Sequence, residues 1–273
     1  MTSRFAGRFI AAFPLGLLLL VAACAGTSSA PPVALADLAP AGKLRAGINL
    51  GNGVIATRDP ASGNAQGIAV NVARELGRRI NVPVELIVFE QARNAVDALQ
   101  AGAIDVVFVA IEPVRAQVMD FTAPYAEIEG SYAVPAGSKI GSNADVDREG
   151  VRISVVARSN YDLFLSRTLK HATLVRDEST QGSADAFVTG KVDALAGVRQ
   201  RVEDAVARTP GSRILPNRFM SIRQAIGMQK GRAVGFAYLR EFVEDIKVSG
   251  LVQDEIQNAG LRDATVAPPA PTR

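Results

Sequence analysis

The sequence predicts an α/β fold made of two lobes. Short apolar runs alternate with helical patterns from Lys43 to about Asp263, and the same alternation starts again after Pro135. This alternation favours largely parallel sheets covered by helices. The chain has 273 residues, of which 48% are hydrophobic and 21% charged. A chain of this length and composition can bury one large core or two modest ones.

Composition excludes several classes of protein. One Cys and one His are too few for a structural zinc site, an iron–sulfur cluster or an internal disulfide, and we predict no cofactor. The sequence lacks the G-x-S-x-G and G-x-x-x-x-G-K-[ST] motifs, so neither a nucleophile elbow nor a phosphate-binding loop is expected. Of the 30 basic residues, Arg4 and Arg8 lie in a segment that we expect to be removed, which leaves 28 against 27 acidic ones. Nucleic acid is therefore not an expected partner.

The N-terminus has the composition of an export signal over residues 1–23. Arg4 and Arg8 precede an apolar stretch from Phe9 to Ala23, which is too short for a confident membrane span. The segment Val21-Ala22-Ala23-Cys24 resembles a bacterial lipobox, and Cys24 is the only cysteine in the chain. We therefore predict a lipidated Cys24 that anchors the protein to a membrane. A chance Cys at the end of a cleavage region is the alternative.

Two segments outside the folded body are predicted to be unstructured. Residues 24–42 are rich in Gly, Ser, Thr and Pro, as a linker would be. Residues 263–273 include Ala267-Pro268-Pro269-Ala270-Pro271, and we expect a flexible tail there.

The first set of elements follows from local hydrophobic patterns. Apolar residues every four positions from Ile68 to Ile80 mark an amphipathic helix, and Gly102 ends the next helix. In order, we predict a strand at Leu44 to Leu50, a helix at Gly67 to Ile80, a strand at Val84 to Phe89, a helix at Ala95 to Ala101 and a buried strand at Ile104 to Val109.

The second set repeats this pattern and ends in two helices. The predicted elements are a strand at Val151 to Val156, a helix at about Asn160 to Leu169, a strand near Ala172 to Arg176, a helix at Ala184 to Thr189 and a strand at Val192 to Val198. One final helix carries the apolar stripe of Phe236, Leu239, Val243 and Ile246 up to Gly250, and the other covers Leu251 to Ala259, before Gly260.

Six short segments carry a resemblance to a known family. They are Lys43-Leu44-Arg45-Ala46-Gly47, Gly67-Ile68-Ala69-Val70, Ala98-Leu99-Gln100-Ala101-Gly102-Ala103-Ile104-Asp105, Arg115, Asp120-Phe121-Thr122-Ala123-Pro124-Tyr125 and Thr189-Gly190-Lys191-Val192-Asp193-Ala194. In this order the sequence resembles the family 3 bacterial extracellular solute-binding proteins over about residues 43 to 260. The resemblance implies a two-lobed periplasmic-binding-protein-like fold that captures a small polar solute, typically an amino acid, for an ABC importer.

The resemblance also implies where the lobes and their cleft lie. The first lobe is expected at residues 43–132 plus 225–262 and the second at 133–224, with crossovers near Ser131 to Val134 and Ser221 to Gly227. A solute would sit between the lobes, at the carboxyl ends of the strands. Hinge closure would then produce the form that the permease recognises.

Arg115 is the first residue that the resemblance marks for binding. The family's arginine at this place clamps the ligand carboxylate, which matches the two parallel donors of a guanidinium. From the sequence alone, a surface arginine on a short helix is the alternative. The hydroxyl side chains that usually precede this arginine are missing here, so the backbone of Ala110 and the side chain of Glu112 are the remaining candidates nearby.

Two turns supply the other candidate binding residues. Arg158, Ser159, Asn160 and Tyr161 lie at the turn into a helix, where free N–H groups, a hydroxyl and an amide can seat an anion. A plain N-cap by Ser159 or Asn160 is compatible with this role. In the first lobe, Asn49 and Asn52 replace the family's aromatic shelf, with Arg93 as a weaker candidate at the same rim.

One departure from the family pattern concerns the ligand. The resemblance places an Asp that pairs with the ligand ammonium five residues after Asp193, but this chain has Val198 there. A desolvated ammonium would then lack compensation. We therefore hypothesise that the ligand is not an ordinary α-amino acid, or that Glu112 substitutes for the missing acid. The equivalent strand-start residues Asp105 and Asp193 are predicted to form turn or cap hydrogen bonds.

The sequence thus predicts a monomeric, lipid-anchored extracytoplasmic solute-binding protein. Its partners would be a small carboxylate-bearing or amino-acid-like solute and the permease of an ABC importer. Two alternatives stay open. One is a periplasmic dehydratase-like enzyme that uses Glu112 as general acid, and the other is a sensory or interaction module on the same fold.

Overall fold

The structure is a computed structural model that describes residues 1–2 and 31–271. Residues 3–23 of the predicted export signal and the predicted lipidation site Cys24 lie outside these residues. No helix in the described part of the chain has the length and hydropathy needed to cross a membrane.

The described chain begins with the following elements, up to the first long strand: α1 (Pro32–Leu38), β1 (Leu44–Asn49), β2 (Thr57–Arg58), β3 (Ala65–Gln66), α2 (Ile68–Ile80), β4 (Val84–Phe89), α3 (Ala92–Gln100), β5 (Val106–Ala110), α4 (Pro113–Ala116), β6 (Met119–Phe121) and β7 (Ala126–Val134). A 3-10 helix at Asn143–Val146 follows.

The remaining elements run to the C-terminal strand. They are β8 (Arg152–Val156), α5 (Asn160–Thr168), β9 (Thr173–Asp177), α6 (Thr180–Val188), β10 (Ala194–Val198), α7 (Arg199–Ala207), β11 (Arg213–Ile214), β12 (Met220–Gln229), α8 (Ala233–Val248), α9 (Leu251–Asn258) and β13 (Ala264–Val266). The elements predicted from local patterns are present with ends shifted by up to four residues. For example, α6 starts at Thr180 because the Ser179 hydroxyl caps it by accepting from the Gly182 N–H at 2.9 Å.

The main sheet joins two parallel groups through two antiparallel strands. Its order is β4-β1-β5-β12-β7-β10-β8-β9. Strands β4, β1 and β5 are parallel to one another, as are β10, β8 and β9, whereas β12 and β7 pair antiparallel with their neighbours. We call the part built on β4, β1 and β5 the first lobe and the part built on β10, β8 and β9 the second lobe. The predicted two-lobed α/β fold is confirmed.

The long strands β7 and β12 connect the lobes. Met220–Gln224 of β12 pairs with Ala126–Gly130 of β7, and the following residues of β12 pair with β5 of the first lobe. The other end of β7 pairs with β10 of the second lobe. The lobe boundaries predicted at residues 132/133 and 224/225 fall within these two strands and stay a prediction.

The predicted linker contains a helix, which corrects that expectation for residues 32–38. In α1, Ala34 and Leu38 are fully buried. The Asp37 carboxylate accepts from the Gly235 N–H at 2.9 Å, and its carbonyl accepts from Arg232 at 2.7 Å, which ties α1 to α8. Pro32 suits the first turn of a helix, since its missing N–H would have no partner there. Apolar residues four positions apart then give the helix one face to bury.

The predicted flexible tail is also corrected. Strand β13 pairs antiparallel with β7, and the Ala267 N–H donates to the Tyr125 carbonyl at 3.2 Å. Lys247 then donates to the Pro268 carbonyl at 2.9 Å. Pairing is possible because Ala264–Val266 precedes the prolines and therefore keeps every backbone N–H donor.

Candidate functional site

A cavity lies between the lobes, where the parallel strands of both lobes end. Asn49, the loop after β4 and Ala110 line it from the first lobe. Val156, the turn into α5, Thr180 and Val198 line it from the second. The carboxyl ends of parallel strands leave backbone groups and loop side chains free to meet a ligand. The cavity therefore has the position that the sequence predicted for a solute.

Arg115 is a buried cation that borders this cavity. It sits on the short helix α4 and is 5% exposed. Its Nη1 donates to the Ala110 carbonyl at 2.9 Å and its Nη2 to the Arg158 carbonyl of the second lobe at 3.2 Å. Burial lowers the pKa of the guanidinium to about 10, while Glu112 acts in the opposite direction. Arg115 is therefore charged at neutral pH, and its two described hydrogen-bond partners are neutral carbonyls.

Glu112 lies close to Arg115 in sequence but is engaged elsewhere. Its side chain is buried, and its two carboxylate oxygens accept from Nη1 and Nη2 of Arg167 at 2.8 Å each. It is not among the residues that line the cavity. The expectation that Glu112 binds the ligand, or replaces the missing acid, is therefore corrected: a carboxylate held by both oxygens in a pair with α5 of the opposite lobe is not available to a solute.

The turn into α5 contributes backbone and side chains from the second lobe. Arg158, Ser159, Asn160 and Tyr161 all line the cavity. Ser159 is an N-cap, because its hydroxyl accepts from the Asp162 N–H at 3.1 Å, while the Asp162 carboxylate accepts from the Arg158 N–H at 2.8 Å. Burial raises the pKa of Tyr161 to about 12, so its phenol stays neutral and able to donate.

Asn49 and Asn52 border the cavity from the first lobe, and both are more than nine-tenths buried. The Asn49 Oδ1 accepts from the Gly51 N–H at 3.1 Å, and the Asn52 Oδ1 accepts from the Val54 N–H at 3.2 Å. These bonds shape the turn after β1 and hold the two side chains in place. Each amide NH2 group then offers donors that the turn does not use.

Residues that follow β4 and β9 contact each other across the rim of the cleft. Arg93 forms an ion pair with Glu178, and the Gln91 side chain donates to the Glu178 carbonyl. Arg93 does not line the cavity, so its weaker candidacy as a binding residue is corrected. Glu90 does line it, but its carboxylate is 71% exposed and pairs with Arg58 at 3.0 Å.

Val198 occupies the place where the resemblance expects an acid. It lines the cavity at the end of β10 and is 5% exposed. Among the residues described as lining the cavity, the acidic one is Glu90, and it lies at the rim. The interior of the site is therefore cationic and rich in amides.

Gln224 was missed by the sequence analysis. It lies on β12 opposite Ala110, lines the cavity and is 1% exposed. Gln224 alternates with Ile222 and Ile226 along the strand, and an amide in this otherwise apolar row was the feature that could have indicated it.

Comparison with known proteins agrees with this architecture. A family model described as bacterial extracellular solute-binding proteins, family 3, matches residues 54–258. A probable histidine-binding protein from Neisseria gonorrhoeae is 25% identical over 198 residues, which cover 70% of this chain and 73% of that protein. The ABC transporter glutamine-binding protein GlnH from Bacillus subtilis is 21% identical over 265 residues, covering 93% of this chain and 96% of GlnH.

A solved structure supports the same fold. The crystal structure of a mutant of the arginine-binding protein ArgBP from T. maritima matches with a TM-score of 0.70 and 20% identity, covering 82% of this chain and 98% of that chain. The resemblance, the fold, the position of the cleft and the family model agree. The chain belongs to the bacterial extracellular solute-binding proteins, family 3.

Proposed function

We propose that this solute-binding protein, which is of the amino-acid ABC importer type, captures a small solute that bears a carboxylate and lacks a free ammonium. The protein would deliver this solute to the permease while tethered by a lipidated Cys24. Family membership implies a location outside the cytoplasm.

The proposal rests on one observation: Arg115 is a buried cation whose described hydrogen-bond partners are both uncharged. A buried guanidinium without an anionic hydrogen-bond partner is costly, because its desolvation is not repaid by an ion pair. Both described partners of Arg115 are neutral carbonyls. A solute carboxylate entering the cavity would complete the pair with parallel, charge-assisted hydrogen bonds.

The missing acid is the reason to exclude an ammonium. Val198 is apolar, the Glu112 oxygens accept from Arg167, and Glu90 pairs with Arg58 at the solvent-exposed rim. An ammonium in the interior would lose its hydration without gaining a carboxylate, which costs several kcal/mol.

The enzyme alternative has no observation in its favour. It required Glu112 as general acid, and that carboxylate accepts two hydrogen bonds from Arg167 outside the cavity. The relatives named above are described as binding proteins.

Isothermal titration calorimetry with a panel of short carboxylates, dicarboxylates and amino acids tests the proposal. We expect carboxylates without an ammonium to bind, and Arg115→Met to weaken their binding by at least roughly thirtyfold, the low end for losing one partner of a buried charge pair. Arg240→Met, which removes an exposed arginine of α8, is the control and should bind like the wild type. Micromolar binding of several free amino acids, or an unchanged affinity of Arg115→Met, would refute the proposal.

The anchor is tested separately in cells. A tagged fatty acid should be incorporated into the wild type and not into Cys24→Ser. Equal labelling of the two proteins would show that Cys24 is not the lipidated residue.

A further inference from the structure

Gln224 has a buried side chain whose polar atoms lack protein partners. It lies in the middle of β12, and its backbone is paired, since its carbonyl accepts from the Tyr125 N–H at 2.8 Å. The side chain is 99% buried, yet neither Oε1 nor Nε2 has a hydrogen-bond partner among the described residues. This amide lines the cavity between the lobes.

Such an amide is unfavourable in a core that serves only packing. Most buried polar side chains in proteins have at least one hydrogen-bond partner, and an unsatisfied amide loses its hydration without compensation. Gln229, farther along the same strand, shows the usual arrangement: its Nε2 donates to the Leu99 carbonyl at 2.7 Å, and its Oε1 accepts from Arg232 at 2.8 Å. A glutamine on this strand can thus be satisfied by the protein, whereas the amide of Gln224, which lines the cavity, is not.

Gln224 also lies next to the proposed carboxylate clamp. Its partner across the antiparallel ladder is Ala110, whose carbonyl accepts from Arg115 at 2.9 Å. Residues paired in this way have Cα atoms about 5 Å apart. A solute whose carboxylate meets Arg115 therefore has its neighbouring groups within reach of the Gln224 amide.

The chemistry of the side chain selects the group that fits. A carboxamide presents one acceptor oxygen and a donor NH2 group side by side. A second amide-type group complements both at once, whereas a carboxylate offers only acceptors and an ammonium offers only donors. An amide group is also neutral, which suits a position that no described acid compensates.

We propose that Gln224 is a specificity-determining residue that recognises a neutral carboxamide or ureido group on the solute. The Gln224 Nε2 donates to the carbonyl of this group, and Oε1 accepts from its N–H. This inference rests on the proposed function, because it takes the carboxylate at Arg115 as the second attachment point. The ligand class is therefore a short acid that carries an amide.

Calorimetry with matched probe pairs tests the assignment. Succinamate and 4-oxopentanoate share the carboxylate and chain length and differ only in NH2 against CH3, and glutaramate and 5-oxohexanoate form the same pair with one more methylene. We expect the wild type to bind the amide of at least one pair about tenfold or more tightly than its ketone. Gln224→Met should remove this preference. It should weaken binding of the amide more than binding of the ketone, because the ketone keeps the carbonyl that accepts from Nε2 but lacks the N–H that donates to Oε1.

The thermal stability of the ligand-free protein is a second readout. Gln224→Met should raise Tm by about 3 °C, because it removes an unsatisfied buried amide at similar volume. Gln229→Met is the control: it should lower Tm, because it breaks the hydrogen bonds of Gln229 with the Leu99 and Gln100 carbonyls and with Arg232, and should leave the amide preference intact.

The outcomes separate the two proposals. If carboxylates bind but the wild type treats amide and ketone alike, or if Gln224→Met keeps the preference or lowers Tm, the Gln224 assignment is wrong and the proposed function stands. If the wild type binds no member of either pair and no other carboxylate, the proposed function fails and this inference fails with it.

Discussion

Single aspartates at the strand starts organise both lobes in the same way. The Asp105 carboxylate accepts from the Arg45 N–H at 2.9 Å and from the Arg45 guanidinium, while the Asp105 N–H donates to the Arg45 carbonyl. In the second lobe, Asp193 makes the same set of contacts with Arg152. Both residues form hydrogen bonds, as predicted, but with an arginine of a neighbouring strand and not within a local turn or helix cap. Each pair connects the start of one strand to the loop that leads into its neighbour, and so fixes the register at the end away from the cleft.

Arg158 shows how one residue is held at the site. Its φ of 57° lies in the left-handed region, where a residue with a Cβ is strained by about 1–2 kcal/mol. The conformation aims the Arg158 carbonyl at Arg115 and its N–H at Asp162.

The stability of variants at position 158 should therefore depend on how readily the new residue adopts the left-handed conformation. We expect Arg158→Gly to be up to about 1 kcal/mol more stable than Arg158→Ala, because glycine relieves the strain and the entropy of the more flexible unfolded chain offsets only part of the gain. Urea denaturation of the two variants measures this difference. Equal stability, or a more stable alanine variant, would mean that the turn is not strained.

Among the elements, α2 is attached to α8 through a cluster of charges. Glu75 accepts from both Arg78 and Arg79, and Arg79 reaches Asp245 at 3.2 Å and lies over the Phe242 ring, 5.1 Å from its centroid. Hydrogen bonds from Arg78 and Arg79 lower the pKa of Glu75 from 4.5 to about 2, although burial acts in the opposite direction. The charged form of Glu75 thus stabilises the folded protein.

This contribution should depend on pH. Because the pKa of Glu75 is lower in the folded than in the unfolded chain, its stabilisation is fully present above about pH 4.5 and is lost as the pH falls to about 2. We expect Glu75→Gln to lower the free energy of unfolding by about 1 kcal/mol at pH 7. The expected loss is small because Arg78 is largely exposed and solvent screens its charge.

Urea denaturation of the wild type and Glu75→Gln between pH 7 and pH 2.5 measures the effect, and the difference should shrink toward the acidic end. Glu241→Gln is the control, since Glu241 is exposed on α8 and forms none of the described ion pairs. A difference that stays constant with pH would indicate lost packing instead of a lost charge.

At the scale of the whole molecule, an ion pair between a buried carboxylate and a partly exposed guanidinium joins the two lobes across the cleft. Glu112 follows β5 of the first lobe and is 97% buried at its side chain, and Arg167 lies on α5 of the second lobe. The hydrogen bonds that Arg167 donates to Glu112, together with the Glu112 charge, raise the pKa of Arg167. If the cleft opens by a hinge, as the resemblance implies, the two residues would separate, and we therefore expect the pair to favour the closed form without touching the cavity.

We expect Arg167→Met to weaken solute binding about tenfold, because closure would then bury Glu112 without its partner. The expected loss of affinity is small because the Arg167 side chain is 41% exposed, so that solvent screens its charge. Calorimetry with a carboxylate that the wild type binds measures the affinity of the variant. Small-angle scattering should show a larger radius of gyration for the variant than for the wild type. Arg208→Met is the matched control: it breaks an ion pair with Asp185 inside the second lobe, away from the cavity, and should change neither quantity.

The sequence by itself determined the fold class and the elements whose hydrophobic period is local. The stripe of α2 and the apolar runs of β4 and β5 are properties of adjacent residues, and the structure has them with small shifts. Arg115 became a candidate only through the resemblance, and its burial beside the cavity could not be read from the sequence alone. The helix α1 and the strand β13 could not be predicted, because each is short, lies next to a polar or proline-rich segment, and is ordered by the surface that receives it.

Only the tertiary structure decided what each side chain near the cleft does. Glu112 is three residues from Arg115, yet its partner Arg167 is 55 residues away in sequence. Gln224 reaches the cavity because β12 pairs with β5, a contact between strands that are distant along the chain. Hydrogen bonds and burial of this kind depend on residues that only folding brings together, so no local pattern contains them.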